Sequence, residues 1–292
     1  MSVSQDALPY KEPRSQLTAS YTSISTPDYS EGPPRSTGLD AKYTLNSVVR
    51  DERKNTCLII NIEEFDTKQA RSGASEDTRI ISTLFEDLGF TCIMAEAADG
   101  STKRLTIADI DRSIKAVKER VDKDSDIFVC WIMSHGKRGH IVDSEQEEIL
   151  LDDIIKEFTE EGCEKLKGKP KLFFVQACQS PESEEGAEKC WDYDITPYAD
   201  FFVGFSTPAG FVSYRDVHEG SFYTRAMNEV FRSCLERSSS VDFTRVMTLV
   251  ANNVALKYRA ISEEVEVLQM PCYVSSLTKR IFLSKAAPRT AV

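Results

Sequence analysis

The sequence predicts an α/β fold built around a mostly parallel sheet, on three observations. Short apolar runs recur at residues 57–62, 91–95, 127–133, 171–175 and 201–206. Between the first four lie stretches whose apolar residues fall at helical spacing. The two patterns alternate along the chain, as they do where helices connect the strands of a parallel sheet.

The elements follow in order. After the first run, Ile80, Ile81, Leu84, Phe85 and Leu88 line one face of a helix. Thr106-Ile107-Ala108-Asp109 has the form of a capping box, and Ile110, Ile114, Val117 and Val121 continue from it at helical spacing. A third helix is expected near 151–158. Beyond the strand at 201–206 come a loop holding Tyr214 and Arg215, helices near 221–234 and 243–258, and a last strand near 273–282. Residues 1–42 are rich in Ser, Thr, Pro and Tyr without apolar periodicity, too little to bury a core, and are expected to be disordered.

Two of these strands end in residues that carry chemistry. Residues 171–180 read Lys-Leu-Phe-Phe-Val-Gln-Ala-Cys-Gln-Ser, which holds Cys178 in a short polar loop past an apolar strand. The run at 127–133 ends in Ser134-His135-Gly136. A lone cysteine is ordinarily a buried, inert small hydrophobe. A histidine at the end of a second strand, which parallel pairing would bring to the thiol, makes Cys178 a candidate nucleophile.

With the Gln-Ala-Cys-Gln context, these motifs resemble the caspase family, over about residues 43–283. Ala70-Arg71-Ser72-Gly73 resembles the family's first substrate-binding loop, and Val212-Ser213-Tyr214-Arg215-Asp216 its second. The resemblance implies a caspase-like fold, with a central, mostly parallel six-stranded sheet flanked by helices on both faces. It also implies a cysteine endopeptidase that cleaves protein substrates after aspartate. Cys178 would be its nucleophile and His135 its base and then acid, with backbone N–H groups of Gly136 and Cys178 as oxyanion donors. Arg71 and Arg215 would hold the substrate carboxylate bidentately, with a further hydrogen bond from Gln176. Tyr214 and Val212 would line the neighbouring side-chain pocket, and residues 259–269 the distal one.

The resemblance divides the chain into a short prodomain (1–42), a large catalytic region (43–185), an acidic intersubunit linker (186–196) and a small region (197–292). The prodomain has no room for an adaptor-binding helical domain, so an effector-type enzyme acting in apoptosis is expected. It would be made as a zymogen and activated by an upstream caspase that cuts the linker. Between Gln179 and Pro197, Glu182, Glu184, Glu185, Glu188, Asp192 and Asp194 stand against Lys189 alone. Asp192 and Asp194 precede the bulky Tyr193 and Ile195, where small residues are usual, whereas Glu185 precedes Gly186, and the cut is expected between Glu185 and Asp194. Prodomain removal is expected after Asp40, which precedes the small Ala41, with Asp28 second. A new N-terminal Ala41 is a candidate for capture by inhibitor-of-apoptosis proteins. A homodimer joined through the final strand is implied.

One departure stands out: Gln179-Ser180 follows the cysteine where Arg-Gly is commonest. If position 180 needs positive φ, serine would strain it by about 1 kcal/mol. Ser180 and the atypical linker are the only support for an alternative, a catalytically weak or inactive homologue that regulates another caspase by binding.

Composition is consistent with this reading. With 292 residues, 41% of them hydrophobic, the chain can bury one large core. A net charge of −11 with acids spread along the chain argues against nucleic acid. No apolar run approaches the roughly 20 residues of a membrane helix, and no signal-peptide pattern opens the chain, so a cytoplasmic protein is expected. Cys57, Cys92 and Cys130 sit in apolar runs as reduced core residues, and Cys163 and Cys190 are expected to be exposed thiols. Neither Cys-x-x-Cys nor His-x-x-x-His occurs, and no metal or cofactor is expected. His140 and His218 are expected at surface or turn positions.

Overall fold

In this computed structural model the described residues are 3–5, 41–43, 54–180, 198–262 and 265–286. The chain begins with a short strand, β1 (Val3–Gln5). It then alternates through β2 (Asn55–Asn61), α1 (Ala74–Asp87), β3 (Phe90–Met94), α2 (Ile107–Arg120) and β4 (Phe128–Met133). A small meander follows, β5 (Gly136–Lys137), β6 (His140–Val142) and β7 (Glu148–Leu150), then α3 (Leu151–Lys156) and β8 (Lys171–Gln176). The second half holds β9 (Phe201–Phe205), β10 (Tyr214–Asp216), β11 (Gly220–Ser221), α4 (Phe222–Arg237), β12 (Ser240–Asp242) and α5 (Phe243–Lys257). It closes with β13 (Ala260–Ser262), β14 (Val265–Val267), β15 (Cys272–Ser275) and β16 (Phe282–Ser284).

The central sheet has six strands in the order β15-β9-β8-β4-β2-β3. Every pairing is parallel except that of β15 with β9. Buried on both faces, β4 and the 172–175 stretch of β8 read as unbroken apolar runs rather than alternating ones. Alternate residues then serve two cores. Cys57, Ile59, Val129 and Trp131 face α1, α4 and α5, while Leu58, Ile60, Cys130 and Ile132 face α2 and α3. Trp131 stacks on Phe174 with ring centroids 4.6 Å apart on the first face, and Phe128 on Phe158 at 4.3 Å on the second. The expected capping box is present: the Asp109 amide donates to Thr106 Oγ1 (3.3 Å), and the Thr106 amide to Asp109 Oδ2 (3.0 Å).

Three sequence expectations need correction. The single last strand is two: β15 joins the central sheet beside β9, whereas β16 pairs with β12. Residues 276–281 between them turn away, with Arg280 bonded to the backbone of Ala41 and Tyr43. The Tyr214-Arg215 loop contains a strand, β10. Cys163 is 6% exposed, packed in the α2/α3 core, because its polar neighbours in sequence point outward from a tight turn.

Candidate active site

Parallel pairing of β4 with β8 sets Met133 opposite Gln176. His135 lies two residues past Met133 and Cys178 two past Gln176, so the register carries both off the same end of adjacent strands. Ligand sites of parallel sheets form at that C-terminal end. The backbones stay tied beyond the strands, since the Ser134 amide donates to Gln176 O (3.3 Å) and the Arg138 amide to Ser180 O (3.2 Å).

His135 is 7% exposed, its ring centroid 4.6 Å from that of Phe65. Its Nε2 stands 2.8 Å from the Gln69 carbonyl oxygen. A carbonyl only accepts, so Nε2 carries the proton and Nδ1 is left as the basic nitrogen. The following glycine is required by close approach. A Cβ on Gly136 would come within 2.7 Å of His140 O and 3.0 Å of Cys178 O. The Cys178 sulfur is fully buried and accepts from the Ser213 amide at 3.2 Å.

Arg71 and Arg215 are 1% and 0% exposed. Arg71 donates from Nη1 to Asn61 Oδ1 and to Ile62 O, both at 2.8 Å. Arg215 donates from Nε to Ser72 O (3.0 Å), on the loop that carries Arg71, while the Arg71 guanidinium is held at the end of β2. That loop packs tightly on the strand bearing Arg215. At Gly73 (φ 84°) a Cβ would lie 2.7–2.8 Å from the carbonyl oxygens of Val217 and Asp216. Behind Arg215 stands Asp77, 3.9 Å from its Nη1 and also fully buried. Asp77 accepts from the Ser221 amide and the Thr224 hydroxyl, each at 2.6 Å. Burial raises the Glu63 carboxyl above its usual range, opposed by Lys103 and Arg71.

Gln176 reaches the same place, donating from Nε2 to Ser213 Oγ (2.7 Å). Tyr214 is buried, its phenol raised by burial and then by the nearby Cys178 sulfur. Val212 is half-buried against the α1/α4/α5 core. The Gln179 side chain accepts from the Gly139 amide (3.1 Å), and its own backbone bonds those of Gly210 and Phe211. Ser180 is not among the residues with positive φ; the described non-glycine ones are Gln146 and Asp200, so the serine bears no such strain. His140 lies on β6 with Nδ1 2.9 Å from Arg138 O, and His218 is exposed in a turn. The distal loop at 259–269 contains the β13–β14 hairpin. Asp28, Asp40, Glu185, Asp192, Asp194 and Cys190 lie outside the described residues.

Four contributors escaped the sequence reading: Asn61, Asp77, the Gln69 carbonyl and Gln269. Gln269 is 2% exposed and ties the Tyr214 amide (2.8 Å) to Ser206 O (2.8 Å). Asp77 left a signal, an acid at helical spacing with Ile80, Ile81 and Leu84 on the apolar face of α1. A main-chain carbonyl leaves none.

Among the described residues no helix is long and apolar enough to cross a membrane. Comparison with known proteins agrees with the architecture. Caspase-1 of Drosophila melanogaster is 29% identical over 255 residues, covering 82% of this chain and 76% of that protein. Caspase-7 of Gallus gallus is 28% identical over 291 residues, covering 93% and 85%. The crystal structure of caspase-1 from Spodoptera frugiperda superposes with a TM-score of 0.68 at 27% identity, covering 85% of this chain and 96% of that one. Residues 54–282 match the family model described as the caspase domain. The chain belongs to the caspase family.

Proposed function

We propose that the chain is a cysteine endopeptidase that cleaves protein substrates after aspartate, an effector-type caspase acting in apoptosis. The observation that carries this reading is the shared end of β4 and β8, where His135 and Cys178 leave paired strands beside two buried arginines. The Cys178 thiolate attacks the scissile carbonyl and forms a thioester. His135, oriented through Nε2 by the Gln69 carbonyl, takes up the thiol proton at Nδ1 and gives it to the departing amine. Backbone N–H groups of Gly136 and Cys178 receive the developing oxyanion. Arg71, Arg215 and Gln176 hold the acidic side chain, with Tyr214 and Val212 beside it. Two guanidinium forks anchored by carbonyl and amide acceptors favour a carboxylate over any neutral side chain.

The chain divides in this reading at 1–42, 43–185, 186–196 and 197–292, with a linker cut between Glu185 and Asp194 by an upstream caspase and prodomain removal after Asp40 or Asp28. Pairing of β8 with β9 joins the large and small regions within one sheet, which would keep them together after a cut. The edge strand β15 exposes Tyr273 and Val274, each 41%, and is the surface proposed to pair with a second copy. A cytoplasmic location and inhibitor-of-apoptosis proteins as partners belong to the same proposal. The alternative, a catalytically weak or inactive regulatory homologue, keeps the atypical linker as its support, since Ser180 does not adopt positive φ.

The test is turnover of matched peptides ending in Asp, Glu, Asn or Arg at the scissile position, with Cys178→Ala as control. Cleavage confined to acidic peptides is expected. Absence of turnover after forced cutting of the linker would favour the regulatory homologue, and cleavage after arginine would overturn the two-arginine pocket.

A further inference from the structure

Cys57 and Cys92 stand directly opposite each other across the parallel pair of β2 and β3. Residues paired in this way send their side chains to the same face of a sheet, and both of these meet the core formed with α1, α4 and α5. The Cys57 thiol is fully buried and hydrogen-bonded to the Cys92 sulfur, and Cys92 in turn donates to the Ser82 carbonyl of α1 (3.5 Å). Both are free thiols. Cys130, on the strand at the other side of β2, lies opposite Leu58 and so points into the second core, away from Cys57.

Spacing and position both suit this pair to joining. Neighbouring strands lie about 4.7–4.9 Å apart, within the roughly 4.4–6.8 Å between Cα atoms that a disulfide spans. β3 ends the central sheet, with β2 as its one partner among the described strands, so it can settle toward β2 without disturbing a further pairing. Cys92 is half-buried on that edge strand and Cys57 is shut in behind it. An oxidant arriving from solvent therefore meets Cys92 first.

We infer that Cys57 and Cys92 are a modification site for hydroperoxides, which join them in a reversible disulfide. The Cys92 sulfur takes the terminal oxygen of the peroxide as the O–O bond breaks, which gives a sulfenic acid and releases water or an alcohol. The Cys57 sulfur then bonds to the Cys92 sulfur as the S–OH bond breaks, and the Cys57 proton leaves with the hydroxyl as water. One peroxide is reduced by two electrons, and the two thiols lose two hydrogens. Burial pushes the Cys57 thiol well above its usual range, so Cys57 is a poor target for free oxidant. Held against the Cys92 sulfur, it needs no encounter to resolve the sulfenic acid. Nothing in this chemistry involves Cys178.

The test uses the full chain carrying Cys178→Ala, so that the candidate nucleophile does not compete for oxidant. Folded protein is treated with hydrogen peroxide, quenched with catalase, alkylated with iodoacetamide in urea and digested with trypsin. Cys57 and Cys92 fall in the tryptic segments 55–68 and 80–103, each with no other cysteine. The expected product is these two segments joined with loss of two hydrogens, in most of the molecules, at a rate independent of protein concentration, and separated again by dithiothreitol. Cys57→Ser is expected to send Cys92 on to the sulfinic acid at the same peroxide dose, because nothing resolves the sulfenic acid. Sulfinic acid at Cys92 in the parent, with Cys57 recovered as the alkylated thiol, overturns the inference. So does recovery of both cysteines alkylated, or a joined pair that forms only when peroxide is added to protein already unfolded in urea.

Discussion

Arg215 and Asp77 face each other at 3.9 Å with neither side chain exposed. A buried guanidinium needs a compensating charge, because removing one member of such a pair strands the other in a low-dielectric site. Asp77 also gathers the Ser221 amide and the Thr224 hydroxyl, so it fixes α1 to β11 and α4 while holding the arginine's far side. Asp77→Asn is expected to cost about 3 kcal/mol of stability, read as a lowered urea midpoint. In the protein that remains folded, KM for an aspartyl peptide should rise more than kcat falls. A purely structural role for Asp77 would leave KM unchanged.

Asn61 offers a cleaner view of the pocket because it touches only the first arginine's end. It accepts from Arg71 Nη1 and donates to Ala74 O and Thr78 Oγ1, each at 2.8 Å. Asn61→Ala removes the side-chain acceptor of Arg71 Nη1 but keeps its bond to Ile62 O, which loosens the arginine while leaving the β4 and β8 ends intact. Expected are a loss of about 1–3 kcal/mol in binding of the acidic side chain, seen as raised KM, and an unchanged rate of Cys178 alkylation by iodoacetamide. A slowed alkylation would mean that the pocket and the thiol are not separable in this way.

Gly136 tests the oxyanion geometry. An alanine Cβ there meets His140 O at 2.7 Å and Cys178 O at 3.0 Å, and both are backbone atoms that cannot rotate aside. Gly136→Ala is expected to displace the Cys178 loop, reducing kcat by about 100-fold or more and stability by about 1–3 kcal/mol. Turnover at the original rate would remove the role assigned to the Gly136 amide.

How far the sequence could be read depends on where each piece of the site comes from. β4 and β8 are wholly buried, so their apolar runs stood out, and parallel pairing then predicted that His135 and Cys178 would meet. Arg71 and Arg215 were found only through motif resemblance, because an arginine in a polar loop looks like a surface residue until its burial is known. The β15/β16 division escaped because both segments are short and sit beside each other in one mixed stretch, and only their different partners, β9 and β12, separate them. Asp77 was visible in principle as an acid on an apolar helix face. Gln269 and the Gln69 carbonyl were not, since their roles arise from loops folded together across long stretches of chain. The β1–β10 pairing belongs to the same class: three residues in a stretch without apolar periodicity acquire a partner more than 200 positions away.

Acid stability supplies the last prediction. Asp200 adopts positive φ (65°) just before β9 and accepts from Tyr43 Oη and from Thr278 Oγ1, the latter at 2.6 Å, joining the 41–43 segment to the turn after β15. Burial alone would raise its carboxyl, but the hydrogen bonds from Thr278 and Tyr43 and the charge of Lys171 outweigh it and hold the value below 3.8. The folded state therefore binds fewer protons than the unfolded one across the interval below that value. The stabilisation is complete above the unfolded pKa and is lost as pH falls through the lower folded pKa. Asp200→Asn keeps a side chain that tolerates positive φ but removes the charge. The variant should unfold at lower urea than the parent at pH 7, and the gap should narrow as the pH is taken from 5 to 3. A gap constant across that range would show that the carboxylate charge does not stabilise the fold.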